Sequence, residues 1–187
     1  MLSISNAPVE DRILAAAASC VIDFGVERVT LAEIARRAGV SRPTVYRRWP
    51  DTRSVLAALL TRHITAALAD VPTRGRGREA LVDRVVAVAE RLRGDELVMA
   101  VLRSELALVY IAQRLGSSQQ MLIDALAGDL RAAQRGGGVR AGDPRRLAAM
   151  VLLITQSTIQ SAQIVRPILD ADALAVELAY ALNGYLS

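Results

Sequence analysis

Lysine is absent from this chain, and all 23 of its basic residues are arginine. So complete an absence reads mainly as the coding bias of a GC-rich genome, and the arginine excess alone assigns no role to any one position. Cysteine occurs once, at Cys20, which excludes an intrachain disulfide. Histidine also occurs once, at His63. One imidazole and one thiol cannot assemble a zinc site of nitrogen and sulfur ligands within a subunit. A Ser-His-Asp triad would rest on His63, around which nothing resembles a nucleophile elbow. His63 therefore reads as a packing or surface residue. Neither G-x-G-x-x-G after a strand nor G-x-x-x-x-G-K-S/T occurs, so no nucleotide-binding loop is expected. These absences lead to the expectation of no metal, no cofactor and no catalytic residue. The first residues lack a basic region followed by a long apolar run, so no secretory signal is expected. The apolar segment from Leu147 to Ile154 is too short to span a bilayer and runs into Thr, Gln and Ser. A cytoplasmic protein without a membrane partner is expected.

Aromatic residues make up only 3 % of the chain while hydrophobic residues reach 52 %, so the core must be built from Ala, Leu, Val and Ile. Alanine and leucine favour helix, whereas strand-rich proteins lean on β-branched and aromatic side chains. No strand-like alternation is evident. The expected class is all-α, with about nine helices in 187 residues. Net charge is a modest +4, but its distribution is uneven. Between Arg36 and Arg53 stand Arg36, Arg37, Arg42, Arg47, Arg48 and Arg53 against one acid, Asp51. Such a cluster suits a phosphate backbone.

Pro8 opens a first helix reaching about Phe24, with Ile13, Ala17, Cys20, Val21 and Phe24 on one apolar face. Gly25 stops it. Thr30 then caps a short helix, with Glu33 three residues on, as a capping box needs. Leu31, Ile34, Ala35 and Ala38 share its apolar stripe, and Gly39 ends it in a position suited to left-handed backbone. Ser41 caps the next helix, with Pro43 in its first turn. Val40, Val45 and Trp49 pack inward, leaving Arg42, Thr44, Tyr46, Arg47 and Arg48 to point elsewhere. This is a helix-turn-helix whose second helix offers hydrogen-bond donors to DNA. Asp51 caps a fourth helix, and Pro72 and the run Thr73-Arg74-Gly75-Arg76-Gly77-Arg78 break the pattern as a solvated linker. The helix-turn-helix domain is assigned to 1–53, with the fourth helix, 52–70, as connector, and a C-terminal ligand-binding and dimerisation domain to 54–187. That second part reads as helical throughout, with Gly136-Gly137-Gly138 as a flexible connector and Asp143-Pro144 and Asp170 as helix starts.

The last two helices carry apolar residues on more than one face, and such a helix wants more than one neighbour. A second subunit is the natural neighbour, and Val151, Thr158, Leu174, Leu178 and Leu182 are the expected dimer contacts. Burial inside a monomer is the alternative. Gln156, Gln160 and Gln163 share a face and need partners, across a dimer, in water or on a ligand.

Residues 8–70 resemble the DNA-binding domain of the TetR family of bacterial transcriptional regulators. The resemblance rests on the first helix ending in Phe24-Gly25, the stretch Val29-Thr30-Leu31-Ala32-Glu33-Ile34-Ala35, and Ala38-Gly39-Val40-Ser41. It continues through Thr44-Val45-Tyr46, Trp49 and Asp51. Thr52 stands where the family usually has a phosphate-touching lysine, which passes that contact to Arg53, and Trp49 replaces the commoner Phe. The resemblance implies a homodimeric repressor that a small molecule releases from a palindromic double-stranded operator. Its DNA-binding set would be Thr30, Ser41, Arg42, Thr44, Tyr46, Arg47, Arg48 and Arg53. Thr30, Tyr46 and Arg53 would grip phosphate; Arg42, Thr44 and Arg47 would approach base edges, and Arg48 either. It also implies an effector pocket in the C-terminal domain, where Met99, Leu102, Leu106, Tyr110, Met121, Met150 and Gln156 are the expected lining. Methionine adapts to irregular space, and Tyr110 or Gln156 would supply the polar contact to a largely apolar molecule. Scarce aromatics argue against a cage for a quaternary cation. An activator, a helical enzyme using His63 and a helical interaction module stand as alternatives.

Overall fold

The computed structural model describes residues 7–104 and 117–187, and these form nine α-helices and no strand. In chain order they are α1 (Ala7–Phe24), α2 (Leu31–Ala38), α3 (Arg42–Tyr46), α4 (Thr52–Asp70), α5 (Gly77–Arg93), α6 (Glu96–Leu102), α7 (Ser117–Arg135), α8 (Pro144–Val165) and α9 (Ala171–Leu186). They belong to two compact units. The first takes in the chain up to His63 and again from Glu96; the second takes in Ile64–Asp95 and Ser117–Ser187. The first unit thus extends past residue 53 into α4, and the arginine–glycine run at 72–78 lies inside the second unit.

In the first unit, α2 and α3 are too short to be stable alone, so packing must hold them. Ile13, Ala17, Cys20 and Val21 of α1 meet Leu31, Ile34 and Ala35 of α2, Val45 of α3, Trp49, and Val55 and Leu59 of α4. Leu97 and Val101 of α6 close the same core. Burial pushes the Cys20 thiol above its ordinary pKa, so it is a small core residue. Phe24 departs from expectation. It is exposed at the end of α1, and its ring lies 4.5 Å from the Arg37 guanidinium carbon. The face of α1 drifts round its axis by the last turn, and a cation–π contact takes the place of burial there.

In the second unit, α7 packs along α8, and α9 packs on α5 and α8. Asp143 and Asp170 cap α8 and α9, accepting from the Arg145 and Ala173 amides at 2.9 Å each. The three glycines at 136–138 are an ordered helix end, not a flexible connector. Gly137 sits at φ 72°, and the Gly137 and Gly138 amides donate to the Gln134 and Ala133 carbonyls at 2.9 and 3.2 Å. Arg84 satisfies the end of α4, donating from Nε to the Val71 carbonyl at 3.0 Å and from Nη2 to the Leu68 carbonyl at 3.4 Å. Helix α8 is 22 residues long, and by length and composition alone it could cross a membrane. The shortness argued from Leu147–Ile154 therefore does not describe the whole helix. One face of α8 nonetheless lies in this core, through Leu147, Ala148, Val151, Thr155, Ile159 and Ala162.

Candidate nucleic-acid interface

The turn between α2 and α3 is built by local side chains. The Glu33 amide donates to Thr30 Oγ1 at 3.2 Å, which caps α2. The reciprocal half of the expected capping box is replaced. Both Glu33 carboxylate oxygens accept from arginines on the next turn: Arg36 Nε at 2.8 Å and Nη2 at 2.6 Å, and Arg37 Nε at 3.0 Å. The Arg36 and then the Arg37 hydrogen bonds hold the Glu33 carboxyl down at about 2. Arg37 continues to Ser19 Oγ at 2.6 Å and to the Asp23 carboxylate, so its charge is spent inside the unit. Gly39 takes φ 62°, and the Val40 amide donates to the Ala35 carbonyl at 3.1 Å, closing α2. Ser41 then starts α3: the Thr44 amide donates to Ser41 Oγ at 3.3 Å, and the two hydroxyls pair at 2.7 Å. Asp51 starts α4 by accepting from the Ser54 amide and hydroxyl, both at 2.7 Å. Those bonds lower its pKa.

With Val45 and Trp49 buried, the rest of α3 turns outward. Arg42, Tyr46, Arg47 and Arg53 are exposed, and the three guanidiniums form no ion pair or side-chain hydrogen bond among the described residues. Thr30 and Ser41 are exposed as well, and Thr44 is half-buried. Of the expected set, one residue stands apart. Arg48 is half-buried, and its Nη1 donates to Glu10 Oε2 of α1 at 2.8 Å. Its Nη1 is engaged by a carboxylate of its own chain, which sets it apart from Arg42, Arg47 and Arg53. Two residues escaped the sequence reading. Arg12 of α1 donates from Nη2 to the Ala38 and Gly39 carbonyls at 2.6 and 3.0 Å, bridging to the helix-turn-helix turn. Arg28, exposed two residues before Thr30, widens the basic surface. Arg12 left no local signal, because its partners lie 26 and 27 positions away.

The expected effector residues divide between the two units and the residues outside the described ones. Leu106 and Tyr110 lie outside the described residues. Met99 and Leu102 belong to the first unit; Met121, Met150 and Gln156 belong to the second. Met150 faces outward and is no cavity lining. Gln156 is half-buried, and its Oε1 accepts from Gln119 Nε2 at 3.4 Å, while Thr65 Oγ1 lies 3.8 Å from the Met121 sulfur. A shallow cleft of about 260 Å³, open solvent included, lies among α5, α8 and α9 and is lined by Val86, Ala89, Arg93, Thr158, Ile159 and Leu178. None of the expected effector residues lines it, and its size falls below that of an ordinary ligand site.

The expected dimer contacts need revision. Val151, Leu174, Leu178 and Leu182 are buried within this single chain, and Thr158 is half-buried. Sequence periodicity grouped them on one stripe but could not say which stripe faces inward. The opposite faces carry the exposed apolar side chains: Met150, Leu153 and Ile164 on α8, and Val176 and Tyr180 on α9. The last four are 60 %, 80 %, 66 % and 79 % exposed.

Residues 13–59 match the family model described as bacterial regulatory proteins, tetR family. The chain is 69 % identical over 188 aligned residues to an uncharacterized HTH-type transcriptional regulator of Mycobacterium bovis, covering 100 % of both chains. Among solved structures, it superposes on the transcriptional regulator FadR from Bacillus subtilis in complex with stearoyl-CoA. There the TM-score is 0.68 at 20 % identity, over 95 % of this chain and 99 % of that one. It also superposes on the R. erythropolis transcriptional repressor QsdR, with a TM-score of 0.69 at 20 % identity over 96 % of each chain. At these identities the structural likeness is one of fold.

Proposed function

We infer that this chain, which belongs to the tetR family of bacterial regulatory proteins and is a helix-turn-helix transcriptional regulator, acts as a homodimeric repressor released from its operator by a small apolar molecule. The observation that carries the DNA-binding geometry is the outward face of α3. Arg42 and Arg47 stand there with guanidiniums unspent inside the protein, on a short helix fixed by the Ser41 cap. A free guanidinium offers two donors in a fork that matches the O6 and N7 edge of guanine. Tyr46, Arg53 and Thr30 flank it as phosphate contacts, and Ser41 and Thr44 shape its start. Two copies are needed to read a palindrome, with recognition helices about 34–36 Å apart. The stripe Met150, Leu153, Ile164 on α8 and Val176, Tyr180 on α9 is the proposed dimer face. A run of exposed apolar side chains on two adjacent helices costs free energy in water unless a partner covers it. For the effector, Met121 and Gln156 are the proposed contacts in the second unit. FadR, of the same fold, is seen with stearoyl-CoA, whose acyl chain is apolar and whose coenzyme A part is anionic, which supports compounds carrying an acyl chain as the kind to try first.

The test begins with selection of a duplex from random-sequence DNA by the wild-type protein. Replacing Arg42 or Arg47 by Ala should weaken binding to the selected duplex by about 1–3 kcal/mol and relax base preference at one position per half-site. An Arg42→Ala, Arg47→Ala double variant that binds it as tightly as wild type overturns the assignment of α3. Addition of fatty acyl compounds should raise the melting temperature and release the duplex together. An apolar ligand that does the first without the second overturns the repressor mechanism.

A further inference from the structure

We propose that the first turns of α1 are the device that positions the recognition helix, and that Arg48 serves DNA binding from within this device, without touching DNA. The proposal rests on the DNA-binding role of α3. Helix α3 has five residues, so it cannot set its own direction. The turn that leads into it and the segment that follows it are held by residues that stand close together in sequence on another helix. On the entering side, Arg12 Nη2 donates to both the Ala38 and the Gly39 carbonyls, the last of α2 and the first of the turn. Those carbonyls carry the partial negative charge of the α2 C-terminus, which a cation satisfies. On the leaving side, Glu10 accepts from Arg48, two residues past the end of α3. Between them in sequence, Asp11 lies 3.5 Å from Arg62 of α4, an exposed pair of little weight. Three successive residues of one helix thus reach the α2–α3 turn, the far end of α3, and α4.

The close fit at Gly39 supports this. A Cβ there would stand 3.1 Å from Arg12 Nη2, so the turn and the guanidinium are shaped around each other. The pairing also weighs against the simpler role for Arg48: Glu10 holds its Nη1, so a phosphate would have to meet the remaining donors of a guanidinium already tied to α1.

The experiment exchanges the charges. Glu10→Arg, Arg48→Glu and the double variant are compared with wild type on a duplex selected from random DNA, over a range of salt. Each single variant should lose roughly tenfold or more in affinity, as expected for a broken charge-assisted hydrogen bond. The double variant should recover most of it, with the wild-type dependence of affinity on salt, because its net charge is unchanged. Arg12→Ala should lose affinity for the selected duplex by a similar factor. Arg12→Lys should retain it, since one nitrogen makes both bonds. Should Arg12→Ala fail to fold, Arg12→Lys and the exchange carry the test. Two results overturn the proposal: Glu10→Arg binding as tightly as wild type, or an exchanged variant as weak as Arg48→Glu with a salt slope shallower by about one, the mark of a lost phosphate contact. If wild type selects no duplex, the DNA-binding reading falls first, and the proposal with it.

Discussion

Replacing Leu182 by Ala separates the inner face of α9 from its outer face. Leu182 is 0 % exposed, and its α9 neighbours Leu178 and Leu186 are buried with it. Truncation removes three carbons from a filled site and leaves a cavity, which for buried leucines costs about 2–5 kcal/mol. For a chain of this length each kcal/mol moves the thermal midpoint by about 2–4 °C, so the chain should melt roughly 4–20 °C lower. The loss is intramolecular, and dilution should leave it unchanged. Tyr180→Arg should behave in the opposite way. Its side chain is 79 % exposed, so the single chain loses little, within about 0.5 kcal/mol for a surface change. What it should lose is the proposed partner: sedimentation velocity should show a monomer for the variant and a dimer for wild type. Its melting temperature should meet that of wild type once both are diluted below dimer dissociation, because assembly stabilises by mass action. Circular dichroism melts across a wide range of protein concentration, with sedimentation at the ends of that range, read both effects. If Leu182→Ala kept its midpoint and became monomeric, Leu182 would face a partner, and the assignment of the two faces of α9 would be refuted.

Acid should weaken the first unit through Glu33. Its folded pKa lies at about 2, below the ordinary glutamate value of 4.5, so it stabilises fully above pH 4.5 and the contribution is lost as pH falls toward 2. Asp51 is lowered in the same direction by Ser54 and adds to the same trend. A Glu33→Gln variant should show a flatter acid limb in urea unfolding followed by Trp49 fluorescence, and an unchanged limb would contradict the Arg36 and Arg37 pairing. Gly39→Ala should destabilise by about 1–2 kcal/mol, because an L side chain at φ 62° is strained and its Cβ crowds Arg12. Urea midpoints measure it, and an unaltered midpoint would contradict the left-handed cap.

The features legible in the sequence were those whose partners are close in the chain. Thr30, Gly39, Ser41, Asp51, Asp143 and Asp170 act on amides or carbonyls within a few residues, and each was placed from residue type and spacing. The all-helical class followed from composition and periodicity. The features that escaped are settled by distant partners. Arg48 looked free because Glu10 stands 38 positions upstream. Phe24 looked buried because a helical stripe says which residues share a face and not how far along the helix that face stays covered. Leu178 and Tyr180 belong to two apolar stripes of one helix, and only the arrangement of α5 and α8 tells which is interior.

Helix α6 belongs to the core of the first unit through Leu97 and Val101, although Ile64–Asp95 of the second unit intervenes in the chain. During synthesis the DNA-reading module therefore cannot finish folding when its own helix-turn-helix has left the ribosome. It must wait for Val101 to emerge, several seconds later at about 5–20 residues per second. Until then Ile13, Val55 and Leu59 border an unfinished core in the nascent chain. A fragment cut after α4 would lack Leu97 and Val101 and leave that side of the core open to water.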